Sequence, residues 1–240
     1  MDAFRYAQFC PLARASEILG HRWVIPILRE LLVGPQRFSD LRRRLPGLSS
    51  SMLADRLAGL EAQGVITRRV LDPPAASTVY ELTADGRAVG PALTALTRWG
   101  LRFLSMPEPG DHVEPDWLLL AIEAFAAAGA VPERRFELRP RSGDREARLR
   151  VGGGAGGTRF LDLDDEAPVD ATIEAPVVTT MLLMRGALPP EAAAARDDVR
   201  IEGDLAAVAD LPSLFDFGDP QGGDPGTARP PSLPSKGTPT

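Results

Sequence analysis

Residues 38–82 read FSDLRRRLPGLSSSMLADRLAGLEAQGVITRRVLDPPAASTVYEL, and this stretch decides the fold of the first half of the chain. Its first apolar residues are Phe38, Leu41 and Leu45, a spacing that places one face of a short helix against a core. Pro46-Gly47 follows at once and ends that helix. We therefore expect a short helix, a tight break and a further element directly behind the break.

The segment after the break predicts a second helix, which begins at a run of three serines and ends at Gly64. Serine hydroxyls are good N-cap acceptors, so residues 49–51 mark the start of the helix. Leucines recur along one face of it, at Leu53, Leu57 and Leu60. The opposite face is polar and has no apolar reason to be buried.

Two β-prone runs, residues 65–71 and 77–82, come next, and a Pro73-Pro74 turn joins them. Helix, turn, helix and hairpin in this order are typical of a winged helix. The pattern favours DNA binding, because a helix fits the major groove and its N-terminal N–H groups favour phosphate. Winged helices also serve as protein-interaction modules, and that alternative stays open at this point.

The residues that we expect to touch DNA are polar or basic and lie on the second helix, the hairpin and the helix before them: Ser49, Ser50, Ser51, Asp55, Arg56, Arg68, Arg69 and Arg42. The serines and the helix dipole would meet phosphate or base edges, and the hairpin arginines would meet the adjacent backbone. Arg43 and Arg44 add positive charge nearby, although a solvated helix face explains them equally well.

Residues 10–103 resemble the HxlR-type branch of the MarR-like winged-helix transcription regulators. The matching segments occur in the family's order: Cys10-Pro-Leu12, Gly20-His-Arg-Trp23, Leu28-Arg-Glu-Leu31, Gly34-Pro-Gln-Arg-Phe-Ser-Asp-Leu41, Leu53-Ala-Asp-Arg-Leu57, Leu60-Glu-Ala-Gln-Gly64, and Val79-Tyr-Glu-Leu-Thr83 with Gly86. The resemblance implies a homodimeric repressor or activator that binds double-stranded DNA, with a two-fold axis that fits a palindromic operator. A departure is Pro26, which stands where the family usually has a helix former.

The chain's charge is divided along its length. Residues 1–105 hold 14 basic and 9 acidic side chains, a net charge of +5, whereas residues 106–240 have a net charge of −11. A basic module attached to an acidic one can still bind DNA, because affinity depends on local phosphate neutralisation.

The single cysteine excludes an internal disulfide and agrees with a reducing compartment. With neither a signal peptide nor an apolar run of about 20 residues, the chain is expected to be cytoplasmic and to have no membrane partner.

Cys10 lies at the N-terminal edge of this region, and its role has two interpretations. Some members of the resembled family carry a matching cysteine that senses oxidants or electrophiles. Arg14 is the one basic neighbour that could lower the pKa of the thiol, so a partly buried thiol without a role is the simpler interpretation.

After a terminal helix predicted over residues 84–104, Met106 to Asp111 has the composition of a linker. We expect a winged-helix and dimerisation domain over residues 1–105, a linker over 106–111, a ligand domain over 112–217 and a disordered tail over 218–240. The glycine run 152–157 predicts a hairpin turn, since no Lys-Ser/Thr pair follows to make a phosphate loop.

Residues 112–217 resemble the sterol carrier protein fold, through Asp170-Ala-Thr-Ile173, Met181-Leu-Leu-Met-Arg-Gly186 and Val199-Arg-Ile-Glu-Gly-Asp204. The expected fold class is therefore α+β: an N-terminal winged helix-turn-helix, and a C-terminal α/β sterol-carrier-like domain with an antiparallel sheet covered by helices. The resemblance implies a tunnel for a fatty or isoprenoid-like effector. The candidate lining residues are large and apolar: Trp117, Phe125, Phe136, Phe160, Met181, Leu182, Met184 and Phe215. An ordinary core without ligand explains each of them about as well.

The sequence contains no constellation that predicts catalysis. Its two histidines are isolated, and neither Cys/His metal spacing nor a Ser-His-Asp motif is present, so we expect no enzyme activity, no metal and no cofactor. The interpretation is a dimeric transcription regulator that responds to an apolar ligand. The alternative is a lipid carrier whose winged helix serves only dimerisation.

Overall fold

The computed structural model of the chain describes residues 5–72 and 76–218. The N-terminal half contains six α-helices and three strands among its described residues: α1 Pro11–Leu19, α2 Val24–Val33, β1 Gln36–Arg37, α3 Phe38–Arg44, α4 Ser50–Ala62, β2 Ile66–Val70, β3 Thr78–Leu82, α5 Ala84–Arg87 and α6 Gly90–Gly100. A 3-10 turn, Leu101–Phe103, follows α6. Two expectations, the Pro73-Pro74 turn and the tail from 219 onward, lie outside the described residues.

The winged helix predicted from residues 38–82 is confirmed. Pro46-Gly47 separates α3 from α4, and Leu53, Leu57 and Leu60 of α4 are buried against α2 and α3. The strands β2 and β3 pair antiparallel, and β1 joins the other side of β3 to give the order β1-β3-β2. The short strand β1 was not predicted, because two residues carry no alternation pattern of their own.

The helix after the wing is broken, so the single helix predicted over residues 84–104 is wrong. Thr83 caps α5, since the Gly86 N–H donates to its Oγ1 at 3.0 Å. The chain then bends at Ala88 and Val89 before α6 begins at Gly90-Pro91. Proline has no N–H to continue the hydrogen-bond ladder of the preceding turn, which explains the break.

The C-terminal half contains a six-stranded sheet and short helices: a 3-10 turn Pro115–Trp117, α7 Leu118–Phe125, β4 Arg135–Ser142, β5 Arg145–Glu146, β6 Leu149–Gly152, β7 Arg159–Phe160, β8 Ala171–Pro176, α8 Val177–Met184, α9 Pro190–Ala194, β9 Arg200–Gly203, α10 Leu205–Val208 and a 3-10 turn Leu211–Leu214. The α+β class is therefore confirmed. The glycine run begins at Gly152, the last residue of β6, and continues into the connection to β7, which pairs antiparallel with β6 as a hairpin turn requires.

The sheet is mixed, which corrects the expectation of an antiparallel sheet. Its strand order is β7-β6-β4-β8-β9, with β5 paired to β4. The central strands β4 and β8 run parallel, with Leu138 opposite Ile173. The chain between Ser142 and Ala171 passes through three strands, which is long enough for the crossover that parallel pairing needs.

Alternation along the strands separates an apolar face from a charged face. Phe136, Leu138, Val151 and Ile173 point to one face and are fully buried beneath the helices. The intervening side chains, such as Glu137, lie on the other face. Helix α10 and the last 3-10 turn are separated by Ala209 and Asp210, and Pro212 follows this interruption. Within the described residues, no helix has the length and apolar character needed to cross a membrane.

Candidate nucleic-acid interface

Helix α4 presents a polar face at its N-terminal end. Ser49 is the N-cap, and its Oγ accepts a hydrogen bond from the Met52 N–H at 3.3 Å. Ser51 and Asp55 are both exposed and are four residues apart, so they lie on the same face. Because the leucines of this helix are buried on the opposite side, the Ser51–Asp55 face is directed to solvent.

Arg42 of α3 extends this polar face. Its Nη1 donates to the Ser50 Oγ at 2.6 Å, and the arginine itself is exposed. A guanidinium at the first turn of α4 adds a full positive charge to the partial positive charge of the helix N-terminus. The combination favours a phosphate group or another anion at this position.

The other two arginines of α3 do not contribute in the same way. Arg43 is exposed and pairs with Asp40 of its own helix at 3.2 Å. Arg44 is buried with 8% exposure, so it is not available to DNA. Arg56 is half-buried, and its Nε donates to the carbonyl oxygen of Arg22 at 3.1 Å, which ties α4 to the turn before α2.

The wing arginines are exposed, and each is paired with a carboxylate. Arg68 donates from Nε and Nη2 to Glu61 of α4, at 3.0 and 2.7 Å, and this hydrogen bonding raises the pKa of Arg68. Arg69 donates from Nε to both oxygens of Glu81, each at 3.1 Å. Neighbouring residues of a strand point to opposite faces, so Arg68 and Arg69 do not share one face of the wing.

Sequence reasoning missed both carboxylates. Glu61 is seven residues from Arg68 and on a different element, so no local spacing connects them. Glu81 meets Arg69 only because the hairpin register places Thr67 opposite Glu81, which makes Arg69 its diagonal neighbour. Each carboxylate partly neutralises its arginine, so phosphate would compete with it or bind to the remaining N–H groups of the guanidinium.

The candidate ligand residues are divided among four places. Four of them, Phe125, Phe136, Met184 and Phe215, are buried in one apolar cluster beneath the sheet. Met181 and Leu182 of α8 are half-buried, and Met181 packs against the same cluster. Phe160 is 42% exposed on the edge strand β7. Trp117 lies apart from the others, because its Nε1 donates to Glu30 of α2 at 2.8 Å.

A separate apolar face lies at the end of the N-terminal half. Trp99 of α6 and Phe103 make an edge-to-face contact with ring centroids 4.9 Å apart, yet they are 57% and 70% exposed. Leu96 and Leu104 are also exposed here. We call these four residues the terminal face.

Cys10, at the start of α1, is a free, half-buried thiol. Among the described residues, no group of three or more His, Cys, Asp or Glu side chains is placed to hold a metal ion.

The two halves of the chain match two different protein families. Residues 18–108 match the family model described as HxlR-like helix-turn-helix, and residues 135–216 match the SCP-2 sterol transfer family. The uncharacterized HTH-type transcriptional regulator YvaP of Bacillus subtilis is 37% identical over 99 residues, which are 41% of this chain and 92% of that protein. The HTH-type transcriptional regulator YodB of the same organism is 35% identical over 105 residues, 43% of this chain and 91% of that protein.

A solved structure, the reduced form of YodB from Bacillus subtilis, shares 32% identity with this chain at a TM-score of 0.36. It covers 43% of this chain and all of the YodB chain. The sequence matches to YvaP and YodB exceed 30% identity over about nine-tenths of those proteins. The chain therefore belongs to the HxlR-like helix-turn-helix family of DNA-binding transcription regulators, and it carries a C-terminal SCP2 domain.

Proposed function

We propose that the chain is a sequence-specific regulator that binds an operator as a homodimer, with α4 in the major groove. The observation that carries this proposal is the exposed polar face at the start of α4, where Arg42 adjoins the helix N-terminus. In this proposal the exposed Ser51 and Asp55 would contact base edges, and Arg42 with the N-cap region would contact phosphates. Arg56 would support the helix, and Arg68 or Arg69 would meet the adjacent backbone.

Binding of the full chain to its own upstream region and to random duplex, at two salt concentrations, tests this proposal. A regulator should prefer the upstream duplex and lose affinity steeply with salt, whereas a lipid carrier should do neither. Arg42→Ala should weaken binding to both duplexes and reduce the salt slope by about 1, because one phosphate contact is lost.

Arg196→Ala is the matched control, since Arg196 is an exposed arginine of the C-terminal half that pairs with Asp198. It removes the same charge far along the chain from α4. Equal binding of the wild type to both duplexes would contradict sequence-specific reading, and an Arg42 variant that behaves like the Arg196 variant would remove Arg42 from the interface.

The terminal face supports dimerisation. Four large apolar side chains on α6 and the turn behind it are exposed, and a second copy related by a two-fold axis would cover them. Trp99→Glu should shift the mass measured by light scattering from dimer towards monomer. Leu163→Glu, an exposed apolar residue of the C-terminal half, is the control. An unchanged mass for Trp99→Glu would contradict this interface.

The match to the SCP-2 family favours a second role, which is binding of an apolar molecule by the C-terminal half. The two groups of buried apolar residues support the division into domains over residues 1–105 and 112–217. A ligand regulates DNA binding only if it has different affinity for two arrangements of the protein. Native mass spectrometry of freshly purified chain should detect a bound apolar molecule, and adding palmitic acid to stripped protein should change the Kd for the upstream duplex. An unchanged Kd would contradict ligand response but not DNA binding.

A further inference from the structure

A cluster of buried and half-buried charges joins the two halves of the chain. Its members come from α2 and α3 on one side and from the segment before α7 and strand β5 on the other. We call it the junction cluster: Arg29, Glu30, Arg44, Glu114, Asp116, Trp117 and Arg145. Neither the DNA interface nor the apolar cluster of the C-terminal half uses any of its charged groups.

Glu30 is the centre of the junction cluster on the N-terminal side. Its side chain is completely buried and accepts hydrogen bonds from Arg44 Nε at 2.5 Å and Arg29 Nη2 at 2.7 Å. It also accepts from Trp117 Nε1 at 2.8 Å. The guanidinium of Arg29 lies 3.5 Å from the ring centre of Trp117, so one carboxylate and one ring fix the contact between the halves.

Arg44 connects Glu30 to the C-terminal half. Its Nη2 donates to Asp116 Oδ1 at 2.6 Å, and its Nη1 lies 3.6 Å from Glu114 Oε2. Glu114 is buried and also pairs with Arg145 of β5. Burial opposes the charge on Arg44, yet hydrogen bonds to Asp116 and Glu30 raise the pKa of its guanidinium. One side chain therefore bonds or pairs with three carboxylates drawn from both halves.

Arg44 lies close to the start of α4, so its contacts bear on the position of that helix. Arg44 is the last residue of α3, and Ser49, the N-cap of α4, follows five residues later. Leu45 and Leu48 in the intervening turn are buried. Arg42, two residues earlier and on the exposed side of α3, donates a hydrogen bond to Ser50 at the first turn of α4. A shift of Arg44 would therefore be transmitted through this turn to the start of α4.

We propose that Arg44 is a positioning residue for DNA reading, through which Glu114 and Asp116 of the C-terminal half set the orientation of α4. The inference rests on the proposed function, in which α4 reads the operator. Buried charged side chains have few alternative partners. The junction cluster therefore favours a small number of distinct positions of the two halves over a continuous range of positions. A change in the C-terminal half that moves Asp116 would then move Arg44 and, through the short turn that follows it, the start of α4.

Asp116→Asn in the full chain tests the proposal, because it removes the negative charge that faces Arg44 and preserves the size of the side chain at position 116. The Kd is measured for the upstream duplex and for random duplex at one salt concentration. We expect the ratio of the two affinities to fall by about fivefold or more, with little change on random duplex. Base contacts depend on the orientation of α4, whereas phosphate attraction tolerates small displacements.

Two further variants separate positioning from mere support of the fold. Asp198→Asn removes the same charge from an exposed carboxylate that pairs with Arg196, and it should leave the ratio unchanged. Asp116→Glu restores the carboxylate and should recover part of the ratio. Amide exchange of a peptide that covers residues 44–52 should increase in Asp116→Asn and not in Asp198→Asn.

The outcomes are distinguishable. If the wild type discriminates between the duplexes and Asp116→Asn discriminates equally well, the role of Arg44 is refuted and the proposed function stands. If the wild type does not discriminate, both are refuted. If Asp116→Asn loses affinity equally on both duplexes and Asp116→Glu recovers nothing, the junction cluster is structural only, and the positioning role is refuted.

Discussion

Glu137→Gln should destabilise the C-terminal half at neutral pH, and the effect should fade in acid. Glu137 lies on the charged face of the sheet, where its side chain is 5% exposed. Its Oε1 accepts from Arg139 Nε and Nη2, at 2.8 and 2.6 Å, and its Oε2 accepts from Arg148 Nη2 at 2.8 Å. Glutamine has the size and neutrality of the protonated acid, so the variant resembles the wild type at low pH.

The expected loss of stability in Glu137→Gln follows from the pKa of Glu137. The hydrogen bond from Arg148 lowers the pKa of Glu137 from 4.5 to about 2, assisted by Arg139 and opposed by burial. That gap corresponds to about 3 kcal/mol at neutral pH. The arginines are 38% and 49% exposed, so solvent screening reduces the expected loss to about 2 kcal/mol.

The sign of the pH dependence follows from a folded-state pKa that lies below the unfolded-state value. The ionised carboxylate stabilises the fold above about pH 4.5, and this contribution is lost as the pH falls towards about 2. The difference between wild type and Glu137→Gln should therefore be fully present at pH 7 and less than half as large at about pH 3.

Urea unfolding followed by circular dichroism at pH 7 and pH 3 measures this difference. Amide exchange of a peptide covering residues 135–142 assigns it to β4. Glu174→Gln is the control, because Glu174 lies on the same sheet face, is 27% exposed and pairs with Arg141 at 3.3 Å. A loss at pH 7 no larger than the control's, or one that persists at pH 3, would refute the reasoning.

Three further changes test the N-terminal half. Arg69→Ala should reduce the slope of log affinity against log salt by about 1, measured by fluorescence anisotropy at four salt concentrations; an unchanged slope would place Arg69 away from phosphate. Ser49→Ala should lower the free energy of unfolding by about 1 kcal/mol in urea, because the Met52 N–H loses its cap acceptor. Gly86→Ala should lower the thermal midpoint clearly, because its Cβ would lie 2.0 Å from the carbonyl oxygen of Val65; a midpoint equal to that of the wild type would show that the turn adapts.

Several elements were predictable from neighbouring residues alone. The leucine spacing after the serine run predicted α4, and Ser49 is its N-cap as the serine run indicated. The two β-prone runs became β2 and β3. Each of these depends on side chains within four residues of one another, or on a hairpin between adjacent strands, so the local pattern contains the information.

The candidate DNA residues were predictable as a set but not in their contacts. The sequence indicates an exposed polar face on α4, and Ser51 and Asp55 lie there. It does not indicate that Arg68 and Arg69 leave the wing on opposite faces, or that each meets a carboxylate. Those contacts depend on the register of the hairpin and on the packing of α4 against it.

The sequence by itself determined the winged helix, the change of charge near residue 106 and the apolar residues that fill each core, because periodicity and local caps specify them. Only the tertiary structure decided that β4 and β8 run parallel and that Arg44 is buried against Asp116, 72 residues further along the chain. Helical spacing places Arg44, three residues after Leu41, nearer the buried side of α3 than Arg43, but it does not indicate which carboxylate covers it. Whether an arginine faces solvent or a buried carboxylate depends on which distant segment displaces its water, and no local spacing encodes that choice.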